Sequence, residues 1–243
     1  MANTGNIDLQ KILFIDIETV SQYPKFENCP ECFQNLWEKK FAKIAKYEEN
    51  EDTTPSELYS RAGIYAEFGK IICISVGFFK KDNFYLHSFV GDDEKKILAE
   101  FSALVDKYFT QQGSRFCGHN IKEFDLPYIV RRMLVNQMPV PKILNLSGMK
   151  PWDNPHLDTL DMWKFGDYKH YTSLELLAYI FGIPPPKDDI NGSMVGEIYW
   201  NEHDLQRIAT YCQKDTLTTA RGFMKLKGLQ ADRINDEKII IIK

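Results

Sequence analysis

The stretch FIDIETV, residues 14–20, places Asp16 and Glu18 inside an apolar run that otherwise reads as a buried β-strand, with its first part over residues 12–17. Residues two apart in a strand point to the same face, so both carboxylates leave the sheet on one side. Like charges so placed repel, and burial adds a desolvation cost that nothing nearby in the sequence offsets. Either the strand is a solvated edge, or its charges find partners from elsewhere in the chain.

Composition narrows the classes. A chain of 243 residues with 44% hydrophobic content can build one large domain or two small ones. A net charge of -4 argues against coating long duplex DNA by bulk electrostatics, while leaving open a grip on a short nucleic-acid end. Five cysteines without regular spacing fit reduced thiols better than a disulfide framework. The opening residues MANTGNIDLQK lack the basic-then-apolar pattern of a signal peptide, and no apolar run approaches the roughly 20 residues that span a bilayer. The chain is therefore expected to be cytoplasmic and without membrane contact.

After the first strand, residues 21–69 read as a helical insertion. Phe33, Leu36, Trp37, Phe41 and Ile44 recur at helical spacing, and Thr54-Pro55-Ser56-Glu57 fits a capping box before a short helix. KIICISVGFF and NFYLHSFV, joined by Lys80-Lys81-Asp82, predict a hairpin. A helix is expected over 93–109, a short strand at RFCGHN, and a helix over 124–135 with Pro127 tolerated in its first turn. LDTLDMW reads as a short strand or turn leading to a helix over 173–181, KDDINGS as a loop, and residues 202–225 as the last major helix. The tail INDEKIIIIK adds an edge strand or packs loosely. Three strands in series, then alternating helix and strand, predict an α/β mixed sheet with helices on both faces.

Two later stretches bear on the first strand's charges. In HNIKEFD, Asp125 follows an aromatic and lies shortly after Asn120; in YCQKD, Tyr211 and Asp215 are four apart and share a helix face. Taken alone, Asp125 could be a helix-capping acid, Tyr211 a packed ring and Asp215 a surface ion-pair residue. Taken together with Asp16 and Glu18, they form a carboxylate group that only cations would stabilise. Hard divalent ions such as Mg²⁺ or Mn²⁺ take oxygen ligands, and a pair about 3.5–4 Å apart is the usual device for phosphodiester cleavage.

In order and spacing, FIDIETV, HNIKEFD and YCQKD resemble the three exonuclease motifs of the DnaQ-like (DEDD) 3′–5′ exonuclease superfamily. The resemblance is to the predicted stand-alone exonucleases related to the exonuclease domain of family B DNA polymerases. It implies an RNase H-like fold in a single domain over residues 7–243. It assigns two divalent ions, Mg²⁺ or Mn²⁺, to Asp16, Glu18, Asp125 and Asp215, and makes Tyr211 the catalytic residue that orients the attacking water. The histidine subclass would carry His five before the last Asp, where this chain has Thr210. The implied function is 3′–5′ hydrolysis at single-stranded nucleic-acid ends, with DNA favoured over RNA. An RNA-processing exoribonuclease and a catalytically silent nucleic-acid- or partner-binding module are the alternatives.

Thr19, Asn120, Phe124 and Lys187 are the expected substrate contacts. For Asn120 the competing role is to hold the turn before Asp125, and for Lys187 to sit in a solvated connector. His119 is either a packed strand-end residue or a phosphate contact. Asp158 and Asp161 are either caps or support for the acids. Cys29 and Cys32 have zinc half-site spacing but no second Cys or His pair nearby. Lys39, Lys40, Lys43 and Lys46 read first as a charged helix face.

Overall fold

The computed structural model describes residues 7–47, 52–167, 169, 171–184 and 190–242. A six-stranded mixed sheet runs in the order β5-β4-β1-β2-β3-β6. It comprises β1 (Ile12–Ser21), β2 (Gly69–Lys80), β3 (Asn83–Val90), β4 (Arg115–Gly118), β5 (Leu157–Asp158) and β6 (Ile239–Ile242). β1–β2 and β2–β3 are antiparallel, while β1–β4, β4–β5 and β3–β6 are parallel. Helices α1 (Glu31–Ile44) and α2 (Pro55–Leu58) fall between β1 and β2, and α3 (Glu94–Tyr108) follows the hairpin. Then come α4 (Asp125–Val135), α5 (Thr159–Lys164), α6 (Leu174–Ile180), α7 (Val195–Glu197) and α8 (Leu205–Leu226). This is the mixed sheet flanked by helices expected of an RNase H-like α/β fold.

β1 is covered on both faces. Leu13, Ile15 and Ile17 join Ile74 and Val76 of β2 against Ile97 and Phe101 of α3 and Leu126 and Ile129 of α4. The opposite face carries Ile12, Phe14 and Val20, which pack toward α8 and its neighbours. By alternation Asp16 and Glu18 belong to this second face. Burial on both sides explains why the strand reads as a nearly unbroken apolar run. It extends past residue 17, the expected end, because β2 pairs with it as far as Ser21 opposite Gly69. A register shift between Glu18 and Thr19 marks a β-bulge.

α8 can approach the sheet closely because β2 presents small residues to it. A Cβ at Gly77 would lie 3.2 Å from Thr216 Cγ2 and closer still to the Phe84 ring. Asp204 caps α8 by accepting from Arg207 N. The helix therefore begins at Leu205, after His203 in a left-handed conformation, and not at residue 202.

The insertion has its own core of Trp37, Leu58, Tyr59, Ala62 and Phe68. The capping box at Thr54 forms, with Glu57 bonding back to Thr54 N. Leu36 departs from the expected apolar face and is exposed, as are Lys39 and Lys43, while Lys40 Nζ lies 4.0 Å over the Tyr65 ring.

Two helical segments were not visible in the sequence pattern. α5 is too short for a periodic signal and is created by the Asp158 cap. α7 continues into a π-helical turn (Ile198–Glu202) where a plain loop-to-helix transition was expected. The tail forms the edge strand β6 beside β3.

Candidate active site

The two carboxylates of β1 point at α8. The Cys212 thiol donates to Asp16 Oδ2 at 3.3 Å and lies 3.4 Å from the Asp16 carbonyl oxygen. In the pairing with β2, Asp16 stands opposite Ser75 and Glu18 opposite Cys73, so both acids face small side chains on that strand. Glu18 is 8% exposed, and among the described residues its carboxylate makes no hydrogen bond or ion pair.

Asp125 reaches the same place from the far side of β1. β4 pairs with β1 only as far as Cys117 opposite Phe14, which leaves the neighbouring edge of β1 open. The turn after β4 fills that gap and delivers Asp125 at the start of α4, 4% exposed, with its carboxylate held by the backbone N–H groups of Ile17 and of Asp125 itself. Asp215 comes from α8, half-buried, one turn after Tyr211, whose hydroxyl hydrogen-bonds its carboxylate. Five of the expected residues are thus brought together.

The electrostatics are those of a repelling cluster. Burial, then the charges of Asp215, Glu18 and Asp125, push the Asp16 pKa well above the usual carboxylate range. Burial, Asp215, the Cys73 thiol and Asp125 do the same to Glu18. Burial raises Asp125 to about 7, offset in part by its backbone hydrogen bonds. Burial and the three acids Asp215, Glu18 and Asp16 keep the Tyr211 phenol neutral far above its ordinary range. A nine-tenths-buried carboxylate without a partner, inside a group of acids, is the donor set that hard divalent ions fit.

The remaining candidates divide. Asn120 has φ 61°, the left-handed region that Asn tolerates, and its N–H donates to Asp158 Oδ1 at 3.0 Å. Its backbone therefore holds the turn, and its side-chain amide makes no hydrogen bond among the described residues. The Thr19 hydroxyl hydrogen-bonds Tyr128, whose own hydroxyl donates to Gly63 O at 2.7 Å. Phe124 is half-buried with its ring 5.5 Å from that of Tyr128. Lys187 lies outside the described residues, as do residues 185–189 of the predicted loop.

His119 is a packed residue and not a phosphate contact. Its Nδ1 pairs with Thr159 Oγ1 at 2.9 Å and its Nε2 with Thr172 O at 2.9 Å, so both ring nitrogens are occupied. Cys29 is buried in the insertion core and Cys32 is exposed. Neither belongs to the metal-ligand group found among the described residues, which is Asp16, Glu18 and Cys212. Asp161 forms a half-exposed ion pair with Lys122 at 3.3 Å.

Asp158 combines the roles weighed for it. It is 2% exposed, caps α5 through Leu160 N and Asp161 N, and grips the second-motif turn through Asn120 N and Lys122 N. The turn that delivers Asp125 is thereby tied to β5. We predict that Asp158→Ala destabilises the fold by about 3 kcal/mol, because buried N–H groups lose a charged acceptor. Asp158→Asn should cost less, since Oδ1 accepts three of those bonds and Oδ2 only the one from Lys122 N. Urea unfolding of both variants tests this; two midpoints equal to the parent's would refute it.

A family model described as a predicted 3′–5′ exonuclease related to the exonuclease domain of PolB matches residues 64–240, well over half of the chain. The chain belongs to this family. Membership supports nuclease chemistry on nucleic acid. The match covers Asp125, Tyr211 and Asp215 but starts after β1, so the joining of Asp16 and Glu18 to the site stands on the geometry above. No curated protein matches the chain. Among solved structures, a family B DNA polymerase from the hyperthermophilic archaeon Pyrobaculum calidifontis is similar at 15% identity and a TM-score of 0.48. That likeness covers 88% of this chain and 24% of the polymerase chain. Among the described residues, no helix is long and apolar enough to cross a membrane.

Proposed function

We propose that this chain is a metal-dependent 3′–5′ exonuclease, built as a single domain over residues 7–243, that hydrolyses phosphodiester bonds at single-stranded 3′ ends, DNA in preference to RNA. The observation that carries this is the carboxylate cluster gathered from β1, α4 and α8, with Glu18 buried and unpartnered among the described residues. Asp16, Glu18, Asp125 and Asp215 would hold two divalent ions, Mg²⁺ or Mn²⁺. When bound, such ions supply the positive charge that activates a water and stabilises a departing 3′ oxygen.

The chain's own groups do the rest. The neutral Tyr211 phenol, anchored by Asp215, is suited to orient a water and unsuited to remove its proton. The free amide of Asn120, beside the second-motif turn, can accept or donate to a terminal nucleotide. Phe124, half-buried beside Tyr128, and Thr19, on the bulge next to Glu18, are retained as substrate contacts on the sequence pattern. Lys187 is retained as a phosphate contact on the sequence pattern. Five free thiols accord with a reducing, cytoplasmic location.

Digestion of matched 5′- and 3′-labelled DNA and RNA single strands with Mg²⁺ or Mn²⁺ tests the proposal. Mononucleotide release from the 3′ end of DNA is expected. Faster digestion of RNA would move the assignment to an exoribonuclease. Tight strand binding without any cleavage would leave a silent module.

Tyr211→Phe provides a finer test. It keeps the ring packing and removes only the hydroxyl, so turnover should fall by roughly one to three orders of magnitude. Divalent-ion affinity should barely move, whereas Asp215→Asn should weaken it clearly. Calorimetric metal titration beside single-turnover cleavage separates the two effects, and a parent-like rate for Tyr211→Phe would reduce the tyrosine to packing.

A further inference from the structure

A site for hard ions has no use for sulfur, but the Cys212 thiol points into this one. It is 0% exposed, and its Sγ lies 3.3 Å from Asp16 Oδ2. Donor atoms of Asp16, Glu18 and Cys212 all fall within 4.8 Å of one another. A tetrahedral ion with metal–sulfur and metal–oxygen bonds of about 2.3 and 2.0 Å sets its ligand atoms roughly 3.5 Å apart. The Cys212–Asp16 spacing already meets that requirement, and a modest turn of Glu18 would complete a three-ligand face. Glu18 supplies a further indication of a ligand, because the residue is more than nine-tenths buried and its carboxylate has no hydrogen-bond or ion-pair partner among the described residues.

We propose that Asp16, Glu18 and Cys212 form a second, overlapping site for a borderline or soft divalent ion of the Zn²⁺ or Cd²⁺ class. Occupation of that site excludes the hard ions that the nuclease reading requires. Binding replaces the S–H bond with a metal–sulfur bond and releases one proton to solvent. Thiolate favours Zn²⁺ and Cd²⁺, whereas Mg²⁺ and Mn²⁺ favour oxygen, so one cluster would discriminate ions by which of its donors it engages. The inference rests on the reading of this cluster as a divalent-ion site, and predicts that soft ions block the enzyme by capture at Cys212.

The test uses the full chain with Cys32→Ser as background, which removes the exposed member of the Cys29–Cys32 pair. Cd²⁺ titration should produce a sulfur-to-cadmium charge-transfer band in the ultraviolet that saturates at one equivalent. Cys212→Ser, which keeps a hydroxyl donor toward Asp16, should abolish the band and weaken Cd²⁺ binding at least about tenfold. Cys212→Ala serves as the second variant should the serine disturb folding, judged by circular dichroism. One equivalent of Cd²⁺ should suppress Mn²⁺ binding in the parent, read by calorimetry. Absence of the band, its persistence without Cys212, or Mn²⁺ binding undiminished by bound Cd²⁺ would each overturn the proposal. Calorimetry with Mn²⁺ alone distinguishes the failures. Mn²⁺ binding without a Cd²⁺ band defeats only the thiol site, and no Mn²⁺ binding defeats the divalent-ion reading itself.

Discussion

Asp16→Asn is expected to abolish cleavage while leaving the fold intact and, without metal, slightly more stable. The carboxylate lies at the centre of the proposed site, interacting with Asp215, Glu18 and Asp125 at once. Asparagine has nearly the same shape and can still accept the Cys212 thiol hydrogen bond. It cannot supply the negative charge that holds a divalent ion. Loss of one charge-stabilising element in a preorganised site costs about two to three orders of magnitude, and loss of a ligand should exceed that.

The stability change has the opposite sign because the wild-type cluster repels itself. Removing one charge relieves three interactions, each of which raises the cost of ionising Asp16. For a chain of this size, each kcal/mol gained raises the thermal midpoint by about 2–4 °C. Thermal melting in chelator, beside cleavage of a 3′-labelled single strand, provides both readings. Parent-like nuclease activity in the pure variant would remove Asp16 from the mechanism. A lowered metal-free midpoint would mean that the strand relies on this charge structurally.

The sequence made the two carboxylates of β1 legible because a strand has period two, and Tyr211 with Asp215 legible because a helix brings residues four apart together. Asp125 was legible as a motif but not as geometry. Its place beside Ile17 exists only because β4 parts from β1 after Phe14, which is a fact of tertiary pairing. The bulge at Glu18 and Thr19 carries no glycine to announce it. Cys212 looked like an ordinary core thiol, although it directly follows Tyr211 and precedes Asp215 by three residues. A spacing of three on a helix facing two buried acids was the available signal. Asp158 read as a cap, which it is; its hold on Asn120 and Lys122 spans 38 and 36 residues and no local pattern encodes that.

The same repulsion sets a pH dependence whose direction metal should reverse. A carboxyl whose pKa is raised on folding binds its proton more tightly in the native state than in the unfolded chain. Stability from such a group is fully present below the unfolded pKa, about 4 for Asp and Glu, and is lost as pH rises through the folded value. For Asp125 that folded value is about 7, and Asp16 and Glu18 are shifted in the same direction. The metal-free protein should therefore lose stability steadily between about pH 5 and pH 8, by up to about 1.4 kcal/mol per pH unit for each proton retained on folding. Saturating Mg²⁺ or Mn²⁺ binds the deprotonated native cluster, so its stabilisation should grow over the same interval and flatten or invert the slope. Asp16→Asn removes one titrating group and relieves its neighbours, so its metal-free slope should be shallower than the parent's. Thermal midpoints across this pH range, in chelator and in excess Mn²⁺, measure all three curves. A parent protein whose metal-free midpoint is flat from about pH 5 to pH 8 would show that its buried acids are not held against their charge, and the case for cations at this site would fall with it.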